Sequence, residues 1–191
     1  MNGVMKIALR LIIITAVAGL LLGLTYSVTK DPIAAQEEKN KTEARQTVMP
    51  DAEDFEQIDL SAAGLGDEYA EVQEAYYAVK SGEKIGATVT VSTKGYSSGL
   101  QVTVGVNSDG TVSGVNIDSH DETPGLGAKG DDPVYLSQYA GRTAPLEVVK
   151  VSGGGDSEIQ ALTGATLTSK GICRAVNLAC SLYADVLSEG V

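Results

Sequence analysis

Histidine is almost missing from this 191-residue chain: His120 is the only one. A Ser-His-Asp hydrolase would have to use it as its base, and it reads instead as a loop residue. Cysteine is nearly as scarce. Cys173 and Cys180 stand seven positions apart on what reads as a final helix. Seven helical residues rise about 10 Å, too far for a disulfide between them, so they read as small core residues. No CxxC pair, zinc-ligand spacing or Walker A motif is present. Basic residues are outnumbered 14 to 25 by acidic ones, a formal charge of −11. That balance excludes a polybasic grip on nucleic acid or lipid headgroups. It suits a soluble domain held off a membrane surface.

Near the N-terminus, Leu11 to Val28 carries no charge. Eighteen such residues are near the lower limit for a membrane-spanning helix. Ile7, Ala8 and Leu9 extend the run, and Arg10 can snorkel. A cleaved signal peptide would have a shorter apolar stretch ending at a small-x-small site. This run passes instead into Tyr26, Lys30, Asp31 and Pro32, and reads as a single anchor over residues 1–30. Lysine and arginine lie on both sides of it, so charge counting leaves its orientation open. Residues 36–48 are charged and helix-favouring, and predict a stalk. Pro50 and the acidic stretch Asp51 to Asp59 break it, and Ala62 to Gly66 reads as a linker. Together these assign 31–66 to stalk and linker and 67–191 to one α+β domain.

Within that domain the pattern changes to a period of two. Val72 to Val79 suits a strand or a helix. Ser81 to Lys84 predicts a hairpin loop, and Ile85 to Thr93 a strand. Gly99 to Val106 puts Leu100, Val102, Val104 and Val106 on one face. Asn107-Ser108-Asp109-Gly110 is a tight-turn signal, with Thr111 to Asp118 returning. These segments predict an antiparallel sheet with one buried face. Asp132-Pro133 marks a helix start, Leu146 to Val151 another strand, and Ser152 to Asp156 a flexible loop. Thr166 or Thr168 is expected to cap the final helix. Its apolar stripe runs Ile172, Ala175, Val176, Ala179, Leu182, Tyr183 and Val186.

Two clusters carry chemistry. One is the turn Thr163-Gly164-Ala165-Thr166-Leu167-Thr168. It offers unpaired N–H groups at a helix start, where the helix dipole favours an anion such as phosphate. The other is the loop His120-Asp121-Glu122-Thr123-Pro124-Gly125-Leu126-Gly127. There Gly125 and Gly127 permit close approach of a flat ligand to the backbone. Glu122 and Thr123 are candidate partners for a heterocycle edge, and Leu126 offers an apolar face. Taken alone, the two also read as a loop and a helix cap.

Together with the anchor and Gly95-Tyr96, these clusters resemble the family of RnfG and its relative NqrC, small FMN-binding domains behind one membrane helix. The loop matches the family's His-x-Glu-Thr-Pro-Gly-Leu-Gly, and Thr163 to Thr166 its Ser/Thr-Gly-Ala-Thr flavinylation motif. The resemblance covers nearly the whole chain. It implies FMN joined by a phosphoester to Thr166, attached by a flavin transferase that uses FAD as donor. It implies phosphate contacts from Thr163, Gly164, Ala165 and Thr168. Glu122, Thr123, Gly125 and Leu126 would lie near the isoalloxazine, with Lys150 a candidate cation beside phosphate or ring. One position departs: the acidic residue usual upstream of the motif is Gln160 here, with Asp156 and Glu158 out of register. The resemblance further implies an extracytoplasmic domain in a membrane complex that moves electrons from ferredoxin to NAD+, coupled to Na+ or H+ translocation. The partners would include a second covalent-FMN subunit and iron–sulfur subunits. Other readings are an NqrC-like subunit of a sodium-pumping NADH:quinone oxidoreductase, a free-standing extracytoplasmic flavoprotein, or a ligand-binding scaffold. Length favours RnfG over NqrC.

Overall fold

The computed structural model describes residues 3–61, 65–151 and 153–190. The chain divides into two compact units, Met1–Lys41 and Thr42–Val191. Of the expected linker, Ala62, Ala63 and Gly64 lie outside the described residues, as does Ser152 of the expected loop.

The first unit is helical. Helix α1 spans Gly3–Val48, with Pro32 inside it. Its N-terminal part is long and apolar enough to cross a membrane, and none of the apolar stretch is buried within the protein. The two threonine hydroxyls of the stretch are satisfied by the helix itself. Thr15 Oγ1 donates to the Leu11 carbonyl at 3.0 Å and Thr25 Oγ1 to that of Leu21 at 2.9 Å, as a hydrocarbon surrounding requires. The helix ends at Val48, just before Met49-Pro50.

The second unit is built on a five-stranded antiparallel meander in the order β1-β2-β3-β4-β5. The strands are β1 (Asp54–Gln57), β2 (Val72–Lys80), β3 (Glu83–Lys94), β4 (Ser98–Asn107) and β5 (Val112–Ser119). Alternation and pairing explain the register. Val89 faces Val104, and Val91 faces Val102, across β3 and β4; all four are buried. Each such side chain removed from water contributes about 1.5–3 kcal/mol before chain entropy is counted. The ambiguous segment at Val72 is a strand because β3 supplies its partner. The hairpin loop is shorter than expected, Ser81-Gly82 alone. Both have positive φ, 52° and 82°, the geometry that matches strand twist in a two-residue turn. Residues 54–57 form an edge strand inside the stretch read as an acidic break.

Helix α3 (Thr166–Leu182) covers one face of this sheet. Ile172, Ala175, Val176, Ala179, Leu182 and Tyr183 are buried as the stripe predicts, and Val186 is partly so. The last turns loosen into a π-helical segment, Tyr183–Leu187. A smaller cluster of Val48, Met49, Ala52 and Ala78 forms apart from the main core. It fits because Gly105 and Gly114, cross-strand partners, leave room for the Val48 backbone. A Cβ on Gly114 would lie 3.1 Å from Val48 Cα.

Short elements complete the unit. Asp132 accepts from the Val134 N–H at 2.9 Å and caps α2 (Pro133–Leu136), as its sequence predicts. The strand expected over Leu146–Val151 shrinks to β6 (Glu147–Val149), which pairs in parallel with β7 (Glu158–Gln160). Asn177 of α3 brackets Leu146, accepting its N–H and donating to its carbonyl, each at 2.8 Å.

Candidate functional site

Three segments converge at the N-terminal end of α3: the β3–β4 turn at Gly95–Ser97, the loop from His120 to Asp131, and the turn Leu162–Ala165. Missing side chains make this possible. A Cβ on Gly171 would lie 2.8 Å from the Lys94 carbonyl oxygen, and one on Gly130 would lie 3.0 Å from Ile172 Cδ1. Ser169 ties the preceding turn to the helix. Its hydroxyl accepts the Leu162 N–H at 3.0 Å and donates to the Ala165 carbonyl at 3.1 Å. Gly164 has φ +79°, a conformation that suits glycine, and it lets the chain double back beneath Leu126.

Between the three segments lies a cleft of about 600 Å³, within the usual range for small-molecule sites. Tyr96, Leu126 and Leu167, which are 68%, 47% and 55% exposed, form apolar walls. Gly164, Ala165, Thr166 and Thr168 form the helix-start side, and Glu122, Thr123 and Gly127 the loop side. Thr166 is the first residue of α3 and half-buried, with its hydroxyl unpartnered among the described residues.

The structure corrects the expected helix cap and places the other candidate residues. Neither threonine caps α3: the cap position is held by Ala165, and among the described residues no side chain bonds the first-turn N–H groups. Thr168 points inward and is buried, its hydroxyl donating to Glu122 Oε2 at 2.7 Å. Its hydroxyl proton is thus engaged within the protein, while the residue still lines the cleft. Glu122 is 5% exposed, and its Oε1 accepts the Ser97 N–H at 3.1 Å. A carboxylate engaged on both oxygens ties these segments together. Thr163 and Gly125 are exposed and stand outside the cleft lining; Gly125 sits at a turn with φ +79°. Lys150 is exposed in the bend after β6 and also lies outside that lining. His120 Nδ1 accepts the Glu122 N–H at 3.2 Å, and Nε2 lies 3.7 Å from Asp131, which closes the loop on itself.

Two residues of the wall escape the sequence reading, Tyr96 and Leu167. Tyr96 is signalled only by its place after Gly95, and Leu167 by being apolar yet on the outer side of an amphipathic helix. Two motif-like spacings have no matching context. Gly95-Tyr96-Ser97-Ser98-Gly99 lies in an antiparallel hairpin, not the strand-to-helix elbow of a hydrolase. Gly125-x-Gly127-x-x-Gly130 follows an antiparallel strand and enters a single 3₁₀ segment, not the βαβ unit of a dinucleotide fold.

The residues present fit a flavin mononucleotide. Its ring system is flat and largely apolar, like these walls. Its phosphate suits uncapped N–H groups at the positive end of a seventeen-residue helix.

Comparison with known proteins agrees. The FMN-binding domain family matches residues 95–181 and the RnfG N-terminal region matches residues 2–48. The RnfG component of the Na+-translocating ferredoxin:NAD+ oxidoreductase complex of Acetobacterium woodii is 39% identical, over 96% of this chain and 93% of that protein. The chain belongs to the RnfG family. Its counterpart in the proton-translocating ferredoxin:NAD+ oxidoreductase complex of Clostridium ljungdahlii is 31% identical over 92% of this chain and 89% of that one. A solved structure, the NqrC component of the Na+-translocating NADH-quinone reductase from Parabacteroides distasonis, aligns over 80% of this chain and 94% of that one. Its TM-score is 0.58 and its identity 21%, which shows a shared fold. This RnfG-family chain is therefore an oxidoreductase subunit with an FMN-binding domain. The cleft described above lies within the matched residues 95–181.

Proposed function

We propose that this chain is the electron-relay subunit of a membrane-bound, ion-translocating ferredoxin:NAD+ oxidoreductase, carrying FMN as a phosphoester on Thr166. The observation that carries this reading is the position of Thr166. It opens a helix whose first N–H groups have no side-chain cap, and it lines an apolar-walled cleft. In this reading residues 1–30 anchor the chain, 31–66 carry stalk and linker, and 67–191 hold the flavin outside the cytoplasm. The other subunits of the complex, including a second covalent-FMN subunit and iron–sulfur subunits, exchange electrons with it. Na+ or H+ is the coupling ion.

Each residue has a physical task. Thr166 Oγ holds the phosphorus. The N–H groups of Leu167 and Thr168 point along the helix axis and bond phosphate oxygens better than water does. Gly164 keeps the backbone open beside them. Tyr96, Leu126 and Leu167 exclude water from the ring faces, and Thr123 lies at the polar edge of the cleft. When bound, the flavin supplies one- and two-electron chemistry, and the protein sets its distance and surroundings. A covalent tether prevents loss from a cleft that is open on one side.

The test uses the full chain co-expressed with a flavin transferase. After denaturing electrophoresis, wild type is expected to fluoresce as a flavin band, and Thr166→Ala to be dark. A dark wild-type band refutes the covalent link. A fluorescent Thr166→Ala band refutes the site.

A further inference from the structure

We infer that Glu122 is a positioning residue that presents Thr166 for modification, and that it acts through Ser97 and Thr168 rather than on the flavin's electronics. This rests on the reading of Thr166 as the attachment point. Glu122 joins three parts of the chain that are remote in sequence. Its Oε1 takes the Ser97 N–H, 25 residues away, and its Oε2 takes the Thr168 hydroxyl, 46 residues away. Its own N–H is held by His120 Nδ1. The slot it fills is shaped for it. A Cβ on Gly95 would overlap Oε1, and a Cβ on Gly127 would overlap Oε2 and come within 2.6 Å of Thr168 Oγ1. Two glycines are thus kept bare around one buried carboxylate.

The consequence is geometric. Thr168 is the third residue of α3, so fixing its hydroxyl fixes the turn that starts at Thr166. Ser97 follows Tyr96, so the same carboxylate sets the wall of the cleft relative to that turn. In the modification step Thr166 Oγ bonds to the FMN phosphorus of FAD as the pyrophosphate P–O bond breaks. AMP leaves, and the hydroxyl proton passes to the transferase. An in-line approach of that kind needs the Oγ held in one place before the encounter, because small misplacements of reacting atoms cost large factors in rate.

Four variants of the full chain, incubated with FAD and a flavin transferase, test this. Glu122→Met keeps the length and removes both acceptors. Attachment is expected to slow about tenfold or more, and the Ser97 amide of the unmodified chain to lose its protection from hydrogen exchange. Thr168→Val cuts the same link from the helix side and is expected to slow attachment similarly. The double variant is expected to be no slower than either single one, as members of one unit are not additive. Glu122→Gln can bond both partners, because the Thr168 hydroxyl can turn from donor to acceptor. It is expected to restore most of the rate and the Ser97 protection, with an unshifted flavin absorption spectrum. Wild-type labelling in Glu122→Met, retained Ser97 protection there, or a shifted spectrum in Glu122→Gln overturns the inference. Unfolding of Glu122→Met leaves Thr168→Val and Glu122→Gln to decide it. A wild-type chain that is never labelled overturns the reading of Thr166 itself.

Discussion

Gly171→Ala sets two effects of known size against each other. In a free helix the change is favourable, since alanine is about 1 kcal/mol better than glycine in a helix interior. In this protein the new Cβ would lie 2.8 Å from the Lys94 carbonyl oxygen and 3.1 Å from both Gly95 Cα and Leu100 Cδ2. The first two are backbone atoms at the end of a paired strand and cannot swing aside. Overpacking of this kind costs about 1–3 kcal/mol. The net expectation is a loss of about 1 kcal/mol, or a fall in Tm of about 2–4 °C for a domain of this size. The function should suffer more than the stability. The cheapest relief is for α3 to lift from Gly95, and Thr168, one turn earlier on the same helix face, would be drawn from Glu122. Flavin attachment should therefore slow even at temperatures where the domain remains folded. Thermal unfolding followed by tyrosine circular dichroism measures the first effect, and time courses of flavin fluorescence on gels the second. Lys170→Ala, an exposed neighbour, serves as the control and should change stability by less than about 0.5 kcal/mol. A rise in Tm for Gly171→Ala, with attachment unchanged, would show that α3 is not pressed against the β3–β4 turn.

Burial pushes the Cys173 and Cys180 thiols up to about 11 from an ordinary value of 9.0, with the Glu147 charge adding to the shift at Cys173. The unfolded chain then loses these protons first as pH rises. Stability should fall between about pH 9 and 11, by up to about 1.4 kcal/mol per thiol per pH unit. Denaturant titrations at several pH values check this, and replacing both cysteines by alanine should flatten the slope. Both thiols are free and buried, so at neutral pH a disulfide reagent should label them only after unfolding. Arg142 donates to the Gln138 carbonyl at 2.6 Å and to the carbonyls of Gly155 and Asp156. Arg142→Met should expose the loop around residues 153–157 to faster cleavage before Asp156 by an aspartate-specific endopeptidase.

The meander was legible because Leu100, Val102, Val104 and Val106 alternate without interruption, and each such run can hide only one face. The same logic hid β1 and β7. Asp54–Gln57 and Glu158–Gln160 are short and mostly polar, and they become strands only because β2 and β6 offer open edges. At the candidate site, Thr166 and the glycines stand out from their neighbours in sequence. The partners of Thr168 and Glu122 were not. Both are polar residues in polar surroundings, and nothing local says that they meet across 46 residues. Packing turns this carboxylate onto Ser97 and Thr168, which no local pattern announces.

The bare start of α3 has a consequence for the lifetime of the protein. With alanine at position 165 the empty chain forgoes about 1 kcal/mol that serine, threonine or aspartate would supply as a cap. In the proposed reading, a phosphate on Thr166 would return about that much, and only after maturation. Empty copies should open at this end more often than loaded ones. Cells degrade proteins in proportion to such openings, so a population of this subunit should purge its unloaded members without a dedicated inspector.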